Sequence, residues 1–250
     1  MKIQLYGKNS DDIKKIATDL GFELVSNQPD VIISYGGDGT LLASENKYPK
    51  IPKLPIRDSK VCRKCSDHQT EHLLKMLLND QIHLTAQPKL ETIFKPQKTS
   101  SQQEKMIALN DIVIRNKSAY HAIRFFVSKN GEPATDYLII GDGIVASTPF
   151  GSTGYYQSIT KSTFEKNFRI VFNNTVTHIN PLEFTEQDII TLTIVRGPGE
   201  MTSDNNPETI ELLEGDQAVI KVSDEVANIF SPETLRCNKC HINRAQRLHD

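Results

Sequence analysis

Long apolar runs, an excess of either charge and internal repeats are all missing from this 250-residue chain. Nothing in it approaches the roughly 18 consecutive apolar residues that a membrane helix needs, so no membrane partner is expected. With 29 Lys and Arg against 31 Asp and Glu the net charge is −2, which excludes a nucleic-acid binder driven by bulk positive charge. The opening MKIQLYGKNSDD turns polar early and lacks the apolar centre of a signal peptide, so a cytoplasmic protein is expected. A Walker sequence, G-x-x-x-x-G-K-[ST], is absent, which excludes an ordinary P-loop enzyme. Cysteine is scarce, and its four copies fall into two Cys-x-x-Cys pairs, Cys62/Cys65 and Cys237/Cys240. In a reducing compartment that spacing calls for an explanation other than a stable disulfide.

What remains is the composition of a soluble globular chain, 38% hydrophobic and 24% charged. It is long enough to bury a core without covalent staples. Met1–Tyr6 alternates as a strand does. Ile13, Ile16, Ala17 and Leu20 then follow helical spacing behind Ser10, and Gly21 can end that helix. Phe22–Val25 and Val31–Tyr35 are short buried strands, which makes a βα unit of an open α/β sheet. Residues 47–65, with Pro49, Pro52 and Pro55, are expected to be a connector. A helix carrying His72, Leu73, Met76, Leu77 and Leu78 follows. Beyond Ile82 strand-type runs dominate, including Leu84–Ala86, Leu90–Phe94, Ala108–Ile114, Ile123–Val127, Leu138–Ile140, Ile170–Phe172, Ile189–Val195, Ile210–Leu212 and Ala218–Val222. Asn130-Gly131 between two of them signals a hairpin. The expected organisation is an α/β N-terminal domain over 1–80, a β-rich C-terminal domain over 81–230, and a tail over 231–250 with the second cysteine pair.

Two segments carry chemistry. Gly36-Gly37-Asp38-Gly39-Thr40 lies between a strand and a helix. Glycines let backbone N–H groups approach an anion, and the helix N-terminus adds a favourable dipole. A carboxylate in that place must bind a metal or accept a proton from a hydroxyl; the bland alternative is a tight turn with a capping Asp. The second segment, 141–158, concentrates glycines and hydroxyls after a strand. Ser152, Thr153, Tyr155 and Ser158 could surround a polar ligand, with the Tyr155 ring as a face for a base; the bland alternative is an ordinary polar loop.

GGDGT at 36–40, Leu109-Asn110-Asp111, and DGIVASTPFGSTGYYQS at 142–158, in this order and spacing, resemble the NAD kinase family. GGDGT alone is less specific, since 6-phosphofructokinases and lipid kinases carry similar turns. The resemblance covers roughly residues 1–45 and 105–230. It implies the same two-domain fold and transfer of a phosphoryl group from ATP, or polyphosphate, to the 2′-hydroxyl of NAD. It implies that Asp38 acts on that hydroxyl, and that Gly36, Gly37, Gly39 and Thr40 hold donor phosphates with Mg²⁺. NAD contacts would fall on Asn110, Asp111, Asp142, Ser152, Thr153, Tyr155, Ser158 and Asp204. A homodimer or homotetramer is implied as well, with Asp142 of one subunit near another's substrate. The chain departs from the family where IPKLPIRDSKVCRKC replaces a Gly/Asn-rich turn, where ITKSTFEKN replaces a Gly-Gly-Pro run, and at Gly154, where Ala is common. Two other readings stay open: a kinase of a lipid or sugar hydroxyl, and a non-catalytic NAD(P)-binding sensor.

Cys62, Cys65, Cys237 and Cys240 supply four thiolates, the set of a closed tetrahedral zinc site, with His68 and His241 close by as substitutes. The separation of the pairs exceeds any local zinc-finger spacing. Such a site would staple the tail to the connector; a redox pair or unrelated cysteines are the alternatives.

Overall fold

A computed structural model describes residues 1–58, 69–97 and 104–231. The chain forms two compact units, one of Met1–Gln87 with Ala227–Asp250 and one of Pro88–Val226.

In the first unit β1 (Lys2–Tyr6) leads through a short 3₁₀ turn into α1 (Lys14–Asp19), then β2 (Glu23–Leu24), β3 (Val31–Tyr35), α2 (Asp38–Lys47), β4 (Lys53–Ile56) and α3 (Thr70–Leu78). β1 pairs in parallel with β2 and β3, and β3 in parallel with β4. Parallel neighbours need crossovers, and α1 and α2 provide them. β3 is buried at every position, as a strand covered on both faces must be. Its Ile33 packs with Ile3, Leu54 and Ile56, and with Ala17 of α1 and Leu74 of α3.

β4 departs from the expected connector. Three nearby prolines suggest loop, and Pro55 has no N–H to give, yet Leu54 and Ile56 are fully buried in register with Ile33 and Tyr35. Lys53 is buried too, because its ammonium meets the buried Glu45 carboxylate of α2 and donates to the Tyr48 carbonyl at 2.6 Å. Burial of hydrophobic surface outweighs the local proline signal here.

β5 (His83–Lys95) begins in this unit and continues in the second. There follow β6 (Lys105–Ala108), β7 (Asp111–Asn116), β8 (Ile123–Lys129), β9 (Glu132–Pro133), β10 (Ile139–Gly141), β11 (Gly143–Ser147), α4 (Tyr155–Thr160), β12 (Phe168–Asn173), β13 (Leu182–Phe184), β14 (Ile190–Arg196), β15 (Gly199–Ser203), β16 (Ile210–Leu212) and β17 (Gln217–Ser231). The Asn130-Gly131 hairpin forms as expected, with φ of 54° and 87°. The run Ala108–Ile114, expected as one strand, is split by a turn at Leu109-Asn110, and β11 was not foreseen at all.

A six-stranded antiparallel sheet, β13-β12-β11-β7-β15-β16, frames the second unit. Its central strands are sorted with period two. Ile112, Ile114, Ile144, Ala146, Ile170 and Phe172 enter a core shared with Phe125, Leu192 and Ile220 of β8, β14 and β17. Val113, Val145 and Val171 point the other way, under Tyr156 of α4 and Phe164. Those two rings meet edge to face at 4.8 Å. α4 is thereby fixed over the outer face, and the segment before it at the strand ends.

Among the described residues no helix is long and apolar enough to cross a membrane.

Candidate active site

The glycine-rich turn leaves the carboxyl end of β3 and opens α2, the place where ligands settle in open α/β sheets. Gly37 is the N-cap with no side-chain cap, so Asp38 is the first helical residue rather than a capping one. Gly36 is required by close packing: a Cβ there would lie 2.2 Å from Thr40 Oγ1. Gly37 is different. Its backbone is extended (φ −93°), and a Cβ would meet nothing within 4 Å among the described residues. Among these residues nothing demands glycine at 37. The Asp38 side chain is 53% exposed and accepts a 2.8 Å bond from the Arg57 guanidinium. Arg57 follows β4 directly, and Ile56 before it accepts the Gly36 N–H at 2.8 Å. Beside the turn lies a cleft of about 530 Å³ whose walls include Gly39, Thr40, Lys8, Ser10, Lys47 and Tyr48. Lys47 Nζ stands 5.4 Å from the Tyr48 ring centroid and 5.9 Å from that of Tyr6.

In the second unit the sequence-predicted residues divide into two groups. Asn110, Asp111 and Asp204 converge at one end of the six-stranded sheet. The left-handed Asp204 accepts three backbone N–H bonds, from Leu109 (2.8 Å), Asn110 (2.7 Å) and Asp111 (3.2 Å), and returns its own N–H to the Asp111 carbonyl. Thr148 ties the following segment to the same turn: its N–H reaches the Asn110 carbonyl and its hydroxyl the Leu109 carbonyl. Gly151 rests directly on Asn110, where a Cβ would lie 2.3 Å from the carbonyl oxygen. A Cβ on Gly154 would stand 3.9 Å from both Asn110 Nδ2 and Asp111 Oδ2. Ser152 is buried in this wall, and Thr153 is exposed.

Burial, with the Asp204 carboxylate nearby, pushes the Asp111 carboxyl up to about 7. Asp204 is also raised by burial, but its three N–H donors and the Lys89 ammonium work against the rise. Like charges this close favour one shared proton, and it belongs on Asp111, because Asp204 holds the donors that favour an anion. Among the described residues Asn110 Oδ1 is buried with no hydrogen-bond partner. An unmet acceptor of that kind can take a donor from a bound ligand.

Asp142 lies elsewhere, at the start of β11, whose far end pairs with Asp111. It accepts from Asn116 Nδ2 (3.3 Å) and Asn174 Nδ2 (3.0 Å). Tyr155 leans toward this group, its hydroxyl accepting from Asn173 at 3.3 Å. The Ser158 hydroxyl donates to the Tyr155 carbonyl within α4. Cys62, Cys65, Cys237 and Cys240, with His68 and His241, lie outside the described residues.

Sequence reasoning missed Arg57 and Lys89. Arg57 could have been found only by recognising β4 as a strand parallel to β3, since its carboxyl end then falls beside the turn. Lys89 carries no local signal.

The chain thus has two compact units, with a glycine-rich turn after a parallel strand in the first, a polar cluster in the second and no Walker sequence. Comparison with known protein families found no matching family model. Among solved structures the chain has the fold of the yeast NADH kinase complexed with NADH (TM-score 0.78, 16% identity, all of this chain and 87% of that one). It is likewise similar to an NAD kinase from Archaeoglobus fulgidus in complex with ATP (TM-score 0.73, 19% identity, all of this chain and 99% of that one). In sequence it is 28% identical over 197 residues to the NAD kinase of Sulfurisphaera tokodaii, covering 73% of this chain and 71% of that protein. It is 28% identical over 234 residues to the NAD kinase of Chlorobium phaeobacteroides, covering 90% and 79%.

Proposed function

We propose that this chain is an NAD kinase. It transfers a phosphoryl group from ATP, or from polyphosphate, to the 2′-hydroxyl of the adenosine ribose of NAD. The observation that carries this reading is the open, glycine-flanked turn with a half-exposed carboxylate on the first residue of α2. The similarity to proteins named NAD kinase supports it.

In this reading the amides of Gly37 and Gly39 and the basic cleft with Lys8 and Lys47 hold the donor phosphates. Asp38 accepts the proton of the 2′-hydroxyl as its oxygen attacks the terminal phosphorus; the new O–P bond forms and the bond to the leaving phosphate breaks. Asn110 and Asp111 hold NAD, the unpartnered Asn110 Oδ1 accepting from it. Ser152, Thr153, Tyr155 and Ser158 line the acceptor side, and Asp204 fixes the turn that carries the pair.

Among the described residues no three His, Cys, Asp or Glu side chains converge as a metal cage. Mg²⁺ suits a different arrangement, few protein oxygens plus donor phosphates, and the exposed Asp38 carboxylate is a hard ligand of that kind. The ion would neutralise charge on the transferring group. On spacing alone, the four cysteines are proposed to hold one structural zinc. Self-association is proposed through the surface around Asp142, where Tyr120 and Val176 are 82% and 80% exposed; light scattering of an active sample should give more than a monomer.

An acceptor series tests the function. With Mg-ATP, the protein should phosphorylate NAD and leave diacylglycerol, sphingosine and fructose 6-phosphate untouched. Turnover of a lipid or sugar, or NAD binding without turnover, would replace the proposal with another kinase or a sensor.

A further inference from the structure

Arg57 occupies a place that the reaction can use. Its backbone lies one residue beyond the Tyr35–Ile56 pair, alongside Gly36 of the phosphate turn. The guanidinium reaches across the turn to Asp38 with a single 2.8 Å contact. Both ends of α2 are tied to β4: Glu45 to buried Lys53 at the start of the strand, and Asp38 to Arg57 just past its end. The first tie is sealed from solvent, with side chains 2% and 0% exposed. The second is open, at 53% and 25%. The sealed pair fixes helix against strand, so the open pair has a fixed place from which to move.

We propose that Arg57 carries the charge of the transferred phosphoryl group. Resting on Asp38 before the donor arrives, it exchanges that carboxylate for phosphate oxygens once the donor settles on the 36–40 turn. This rests on the kinase reading above and adds a residue to it. The physical case is one of competition. An open, single-contact ion pair contributes only about 0–1 kcal/mol, so little opposes its opening. A terminal phosphate offers more charge and a planar set of oxygens that matches the guanidinium fork two bonds at a time. A carboxylate facing an incoming polyphosphate also repels it unless a cation stands between, and Arg57 stands there.

The test uses the full-length protein, with Arg57→Ala and Arg57→Lys. Calorimetry with inorganic tripolyphosphate and Mg²⁺ reads the anion contact without turnover, and Arg57→Ala should weaken binding about tenfold. Its kcat for NAD should fall on the order of 10²–10³-fold with NAD affinity unchanged. Added guanidinium ion should restore part of that kcat in a saturable way, which a structural role for Arg57 would not allow. Arg57→Lys keeps the charge without the fork and should fall between; it also carries the test if the alanine variant does not fold. An alanine variant with kcat and tripolyphosphate affinity within about threefold of the parent overturns the proposal. A kcat loss without guanidinium rescue, accompanied by lost NAD affinity, overturns it too. A parent inert toward NAD whose tripolyphosphate affinity still drops in Arg57→Ala would support the anion contact and remove the NAD kinase reading instead.

Discussion

Asp111→Asn should make the protein more stable at alkaline pH while weakening its hold on NAD. Burial and the neighbouring Asp204 raise the Asp111 carboxyl to about 7, against an ordinary value of about 4 in the unfolded chain. The sign follows from which state keeps the proton. Below pH ~4 both states hold it, and the residue costs nothing. As the pH rises toward 7 the unfolded chain releases its proton and the folded one does not, so stability is lost; above 7 the loss is complete. The cost works out at about 1–2 kcal/mol at pH 5 and about 4 kcal/mol at pH 8, an upper figure because local relaxation reduces it. Asparagine has the same shape and no charge to strand. Urea unfolding of parent and variant at both pH values should therefore show the variant's advantage growing by about 2–3 kcal/mol between them. An advantage that does not change with pH, or a parent that is the more stable at pH 8, would refute the argument. NAD affinity should fall in the variant, and the parent's affinity should strengthen from pH 6 to 8 as Asp111 ionises and becomes an acceptor.

Asp204→Ala removes the acceptor of three N–H groups and should destabilise the second unit by about 3 kcal/mol, read as a lowered urea midpoint, with NAD binding lost alongside. Gly37→Ala should leave the melting temperature within a few degrees, since none of the described residues comes within 4 Å of the added methyl, yet raise the KM for ATP at least about tenfold by blocking the approach of phosphate. Elemental analysis should find about one zinc per chain, and Cys237→Ser with Cys240→Ser should release it and lower the melting temperature; a metal-free protein with intact cysteines and the same melting temperature would end the zinc proposal.

How much of this was legible in the sequence depends on the range of the interaction. The glycine-rich turn at 36–40 was visible because its residues are contiguous and glycine has few uses between a strand and a helix. The 142–158 segment was visible for the same reason, although β11 inside it was hidden by glycines and hydroxyls that read as loop. Asp204 could be matched only loosely, and the reason lies in its bonds: all three donors are more than 90 residues away in the chain. β4 was misread because prolines speak locally for a loop, while the place of Leu54 and Ile56 is decided by pairing with β3, whose residues lie about twenty positions earlier. Arg57 inherits that error, since its position beside Asp38 exists only once β4 is a strand. The return of Ile229 to pair with Lys53 is likewise invisible to any window of sequence.

The central claim is that Asp38 takes the proton from the 2′-hydroxyl of NAD. It is tested most directly by comparing the parent with Asp38→Asn under saturating Mg-ATP and NAD, following NADP with an NADP-specific dehydrogenase. The substitution keeps the shape of the side chain and removes the proton acceptor. The parent should accumulate NADP, and the variant should lose on the order of 10²–10⁴-fold in kcat while binding NAD as before. A variant that makes NADP at the parent's rate would contradict the assignment.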